Sequence, residues 1–181
     1  ITYLAHIIFP MENWNTTRKF PGTLSSLKIM GKVYLKIHPD FKLNGKEFCI
    51  SDLKSKNNTA FINNSELLRF FKEWFNEKNT MALKTSGSTG NPKNILIRKK
   101  DMISSAKNTG EYFGLKSGNK ALLCLPVKFV AGKMMIVRSI VLGLDLHIIS
   151  PNISPLENCQ EVFDFVAMTP MQANNSLGRL H

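Results

Sequence analysis

The chain has 181 residues, 43% of them hydrophobic and 20% charged, which suits a globular α/β protein able to bury a sizeable core. Its formal charge of +11 raises the question of nucleic acid. The basic residues, however, are spread from Arg18 to Arg179, the longest run is Arg98-Lys99-Lys100, and no aromatics alternate with them as a stacking platform, so a nucleic-acid partner is not expected.

Residues 1–29 have no clear period, and the first residue is Ile; they read as an extraneous or poorly ordered segment ahead of a domain at 30–181. Alternation at Val33, Leu35 and Ile37 predicts a strand, His38-Pro39-Asp40 a turn, and Asn44-Gly45 a tight turn with positive φ. A polar connector follows at 52–58. From Asn64 or Ser65 as N-cap the spacing turns helical, with Leu67, Leu68, Phe71, Trp74 and Phe75 forming a core stripe.

Beyond it, strands are predicted at 81–85, 95–98, 121–125, 146–149 and 163–168, and helices at 101–113, 132–142 and 170–180. Gly114 followed by Leu115 is a left-handed C-cap pattern. Strands alternating with helices imply βα units, hence a largely parallel sheet with helices on both faces. The run 134–144 is too short and too interrupted to cross a bilayer, and Ile1–Pro10 lacks the features of a secretory signal. Cys49, Cys124 and Cys159 form no paired or metal-spaced set, which suits a reducing, cytoplasmic setting, and no metal ligand set is assigned. His38 and His147 read as turn and packing residues, and Met134, Met135, Met168 and Met171 as core fillers.

Between the strands predicted at 81–85 and 95–98 lies Thr85-Ser86-Gly87-Ser88-Thr89-Gly90-Asn91-Pro92-Lys93. Gly87 and Gly90 allow close backbone approach and positive φ, exposing successive N–H groups as an anion nest. Ser86, Ser88 and Thr89 add hydroxyl donors, Lys93 adds a mobile positive charge, and Pro92 stiffens the exit. The spacing is not that of a P-loop NTPase, since no Ser or Thr follows the lysine.

The order of these residues resembles the signature loop of the acyl-adenylate-forming family. Three more segments, 37–45, 122–135 and 163–172, resemble the o-succinylbenzoate-CoA ligases of menaquinone synthesis, in the short form of Bacteroidetes-like bacteria. The resemblance implies part of the large N-terminal domain of a two-step enzyme. Mg-ATP and a carboxylic acid would give an acyl-adenylate, and coenzyme A would then give a thioester. It assigns Thr85, Ser86, Gly87, Ser88, Thr89, Gly90 and Lys93 to the nucleotide phosphates. Phe129 stands where relatives often carry His, in the wall of the acyl pocket. Lys133 and Arg138 are the candidate cations for a second substrate carboxylate, and five positions apart on a helix they point to different faces, which favours one of them, modestly Arg138. No catalytic residue is assigned in this chain; the catalytic lysine and the small C-terminal domain are expected downstream of His181. Two alternatives remain open: another acyl- or aryl-CoA synthetase with the same loop, and a non-catalytic nucleotide- or nucleic-acid-binding module.

Overall fold

The computed structural model describes residues 3–4, 37–53, 65–85 and 93–180. Its centre is a six-stranded sheet of β1 (Tyr3–Leu4), β2 (Lys42–Leu43), β3 (Lys46–Glu47), β6 (Lys120–Leu123), β7 (Asp145–Ile148) and β8 (Phe165–Val166), in the order β1-β8-β6-β7-β2-β3. Every pairing is parallel except β2 with β3. Those two short strands are joined by the expected tight turn, with φ of 51° at Asn44 and 76° at Gly45. The turn is tied down from β7: the Asn44 side chain accepts from the Ile148 N–H, and Asp145 accepts from the Gly45 N–H, both at 2.9 Å.

Helix α3 (Val130–Leu142) connects β6 to its parallel neighbour β7, while the chain after β7 returns to place β8 on the other side of β6. Alternation along β6 serves two cores. Ala121 and Leu123 face a large cluster with α1 (Ser65–Trp74), α2 (Lys99–Phe113) and α3; Leu122 faces a smaller one with Val166, Met168 and Ala173 of α4 (Pro170–Asn175). A sheet covered on both faces explains why its strands read as unbroken apolar runs.

In α1 the buried residues are Leu67, Phe70, Phe71 and Trp74, the i, i+3, i+4, i+7 pattern of one apolar stripe, with Leu68 and Phe75 packed at its margin. Phe71 stacks on Phe48 at 4.6 Å, joining the helix to the segment after β3. Helix α2 ends as expected: Gly114 sits at φ 62°, ψ 29°, and the Leu115 N–H reaches the Gly110 carbonyl at 2.8 Å.

Three expectations are amended. The strands predicted at 81–85 and 95–98 do not enter the parallel sheet. They are β4 (Thr80–Lys84) and β5 (Asn94–Arg98), an antiparallel pair of their own, because a nine-residue connection permits a hairpin but not a parallel crossover. The helix predicted to Leu180 stops at Asn175, and one turn of 3-10 helix follows at Leu177–Arg179. Met171 is exposed rather than a core filler. Val33, Leu35 and the loop at 86–92 lie outside the described residues, as does 1–29 apart from Tyr3–Leu4; Ile37 packs at the margin of the core without joining a strand.

Lys99, the middle of the basic run, is only 2% exposed. Its ammonium donates to the Trp74 carbonyl at 2.7 Å and to the carbonyl and side-chain oxygens of Asn76 at 3.0 Å. These are orphan acceptors at the carboxyl end of α1, where a cation is also favoured by the helix dipole. Burial holds the Lys99 pKa below its usual value, and the nearby Glu73 carboxylate partly offsets this. Lys99→Met keeps the length and loses all three bonds, so it is expected to destabilise the protein by about 1–3 kcal/mol, read as a lowered thermal midpoint. An unchanged midpoint would mean that desolvation of the ammonium cancels its bonds.

Candidate functional site

The nine-residue loop begins and ends at the open end of the β4–β5 hairpin. The ladder closes at Lys84 opposite Asn94. One step further, the Thr85 N–H donates to the Lys93 carbonyl at 3.0 Å and the Lys93 N–H donates to Thr85 Oγ1 at 3.1 Å. Thr85 is thus committed through its backbone and hydroxyl to pinching the neck of the loop. Lys93 is exposed beside it. Ser86, Gly87, Ser88, Thr89 and Gly90 lie outside the described residues.

Backbone alternation decides what lies on either side of β4. Since Thr85 turns its N–H toward β5, the polar groups of Ala82 and Lys84 point the other way, to the outer edge. That edge meets the beginning of α3. Lys84 forms a parallel bridge with Phe129, and the Ala82 carbonyl accepts from Lys133 Nζ at 3.0 Å.

Phe129 is the N-cap residue of α3, half-buried, with its N–H on the Pro126 carbonyl at 3.2 Å and the Lys128 ammonium 5.1 Å from its ring centroid. The approach of α3 to the Pro126 turn depends on Gly132, where a Cβ would come within 2.3 Å of the Pro126 carbonyl oxygen. Pro126 to Phe129 follow the carboxyl end of β6, next to the point where the chain leaves for β7 on one side and returns as β8 on the other. In open α/β sheets this is where ligands bind.

After β8 the chain continues through Thr169 and Gln172. Thr169 caps α4 in a reciprocal capping box with Gln172, whose side-chain N–H groups also reach the carbonyls of Cys124 at 3.0 Å and Asn152 at 2.8 Å. One buried glutamine therefore joins β6, α4 and the chain after β7. Its i, i+3 spacing from Thr169 was readable as a capping box, but its bonds to Cys124 and Asn152 carry no local signature. Burial pushes the Cys124 thiol up to about 11, and its Sγ lies 3.4 Å from the Ala167 carbonyl, so this cysteine is no nucleophile.

The two expected cations part company. Lys133, 8% exposed, extends from α3 into a cleft of about 330 Å³ between α1 and β4, shared with Arg69, Glu73, Lys84, Asn94 and Lys128; its ammonium lies 3.4 Å from the Glu73 carboxylate. Arg138, equally buried, turns to α2, where its Nε donates to Thr109 Oγ1 at 3.2 Å and one terminal nitrogen lies 3.8 Å from Met135 Sδ. Burial lowers the Arg138 pKa to about 10, which leaves it charged at neutral pH. Arg138 does not line the cleft that Lys133 enters.

Elsewhere, a second cleft of about 430 Å³ is lined by Asp40, Lys42, Glu47, Ser117 and Asp145 at the amino ends of the strands, away from the loop. His147 packs edge-on against Phe163 at 5.4 Å, with Nε2 3.2 Å from an Asp145 carboxylate oxygen. Among the described residues no three His, Cys, Asp or Glu side chains gather as a metal site, and no helix is long and apolar enough to cross a membrane.

The family model described as AMP-binding enzyme matches residues 44–176. A 2-succinylbenzoate–CoA ligase from Enterococcus faecalis is 36% identical over 64 residues, 35% of this chain and 13% of that protein. The crystal structure of an acyl-CoA synthetase (AMP-forming)/AMP-acid ligase II-like protein from Dyadobacter fermentans is similar with a TM-score of 0.58 and 38% identity, covering 63% of this chain and 33% of that one. The chain thus spans a minor part of both relatives. A match over residues 44–176, holding the loop, its hairpin and the segment after β6, shows that the chain belongs to the AMP-binding enzyme family.

Proposed function

We propose that the protein to which this chain belongs is an AMP-forming acid–thiol ligase that activates a carboxylic acid with ATP and passes the acyl group to coenzyme A. The observation that carries the proposal is the Thr85–Lys93 loop, pinched at its neck by two hydrogen bonds and bridged through Lys84 to Phe129 at the carboxyl end of β6. A phosphate-binding segment placed there would hold the β- and γ-phosphates of ATP beside the crevice in which an acid can sit.

In the first step a carboxylate oxygen bonds to the α-phosphorus as the bond to the bridging oxygen breaks, releasing pyrophosphate. The loop's share is to orient the triphosphate in line and to meet the charge developing on the leaving group, with N–H and hydroxyl donors of 86–90 and the ammonium of Lys93. Magnesium would enter as the partner of the nucleotide's phosphates. In the second step the thiol of coenzyme A attacks the acyl carbon and AMP leaves. Residues outside this chain would supply the adenine site and the catalytic lysine, and the 181 residues alone are expected to give negligible turnover.

For the acid we propose o-succinylbenzoate, in cytoplasmic menaquinone synthesis. The relative from Enterococcus faecalis, 36% identical over its 64 matched residues, supports that choice, as do segments 37–45, 122–135 and 163–172. Phe129, half-buried at the mouth of the crevice, offers a ring face to an aromatic acid. The full-length protein is expected to convert o-succinylbenzoate to its CoA thioester in preference to fatty and simple aryl acids, as read by mass spectrometry of the products. Absence of that thioester would remove the assignment of the acid, and absence of any acyl-adenylate would remove the ligase reading.

Two substitutions in the full-length protein test the residues. Lys93→Ala is expected to slow acid-dependent pyrophosphate exchange by about 10–100-fold; an unchanged rate would take Lys93 out of the phosphate grip. Arg138→Met exchanges a buried, weakly partnered charge for an apolar side chain of similar length. It is expected to leave the thermal midpoint equal or higher, and the KM for the acid unchanged. A rise in that KM would return Arg138 to the substrate.

A further inference from the structure

The β4–β5 hairpin stands apart from the main sheet, and among the described residues no strand pairs with its outer edge. On this edge the Ala82 carbonyl takes its donor from a side chain instead of a strand. Lysine side chains on a helix lean toward its amino end. The Lys133 ammonium therefore arrives on the same edge of β4 as the bridge between Lys84 and Phe129, two residues before it. The two ties, at Ala82 and Lys84, fasten one edge of the strand that leads into the phosphate loop to the first turns of one helix. The Glu73 carboxylate, 3.4 Å from Nζ, holds the ammonium from the α1 side, and burial to 8% exposure keeps the arm in place.

We propose that Lys133 is a positioning residue rather than a ligand of the acid: by donating to the Ala82 carbonyl it fixes the outer edge of β4 against α3 and so sets where the neck of the Thr85–Lys93 loop stands. Its ammonium is already shared between a backbone acceptor and a carboxylate, whereas a substrate carboxylate would have to compete with Glu73 for it. The loop's grip on phosphate then depends on a group that never touches the nucleotide. This inference rests on the reading that the loop binds the phosphates of ATP.

The test uses the full-length protein with Lys133→Met, which keeps the arm and removes the donor, and Lys133→Arg, which restores one. Three readouts are taken: hydrogen exchange of peptides spanning 80–98, ATP affinity by calorimetry, and the KM for the acid. With Lys133→Met, exchange of the hairpin amides is expected to quicken and ATP affinity to fall, each by about tenfold, the scale of one lost hydrogen bond to a charged donor. The KM for the acid should stay within about twofold, and Lys133→Arg should bring exchange and ATP affinity back toward the parent. A raised KM for the acid with ATP affinity unchanged would make Lys133 a substrate ligand and overturn the proposal. A lowered thermal midpoint with hairpin exchange and ATP affinity both unchanged would overturn it as well. If Lys133→Met fails to fold, Lys133→Leu, which likewise has no donor, carries the same expectations. Should the parent protein form no adenylate with any acid, the ligase reading falls, and hairpin exchange and ATP affinity still decide the role of Lys133.

Discussion

An antiparallel pair of strands outside the main sheet must find partners for the edge that its own ladder leaves open, and in this protein that requirement organises the candidate site. On the inner edge of β4, Thr85 and Lys93 close the neck of the loop; on the outer edge, Lys84 meets Phe129 and Ala82 meets Lys133. Both outer partners belong to the start of α3, the helix that carries the chain from β6 to β7. The hairpin is thereby indexed to the end of the parallel sheet where ligands gather. The close seat of α3 on the Pro126 turn, which a side chain at Gly132 would obstruct, extends the same chain of contacts to β6.

Among the described residues, three buried cations do different work at different cost. Taking an ammonium or guanidinium from water is unfavourable unless acceptors replace the solvent. Lys99 has three oxygen acceptors at the end of α1, a helix dipole in its favour, and Glu73 nearby. Lys133 has one carbonyl and one carboxylate. Arg138 has a hydroxyl and a thioether, the poorest set of the three, and burial alone accounts for its lowered pKa. The ranking separates the lysines, which fasten one element to another, from the arginine, which fills the seam between α2 and α3.

The strand order around β6 places the remaining parts. Because β7 lies on one side of β6 and β8 on the other, the segments after β6 and β8 carry Phe129 and the Thr169–Gln172 cap respectively. Gln172 ties these segments together by joining the carbonyls of Cys124 and Asn152. Lys93 sits at the mouth of the loop on the hairpin side. The arrangement brings the neck of the loop and Phe129 to one end of one sheet.

The sequence by itself determined whatever depends on local order. The apolar spacing of Leu67, Phe71 and Trp74 made α1, Asn44-Gly45 made a tight turn, Gly114 ended α2, and nine residues in a recognisable order pointed to the family. Periodicity reports which face of an element is apolar, so it also foretold a sheet covered on both sides. Tertiary structure decided which strands pair and where each charge ends. Strand pattern alone does not say whether 80–84 joins the parallel sheet or folds back on 94–98, since both bury the same residues. Nor does a lysine in a helix reveal whether its head reaches water or a carbonyl fifty-one residues earlier in the chain. Lys99, Lys133 and Arg138 read alike as basic residues, and only long-range contacts made one a helix cap, one a strut and one a filler, because the energy of a charge is set by the acceptors around it.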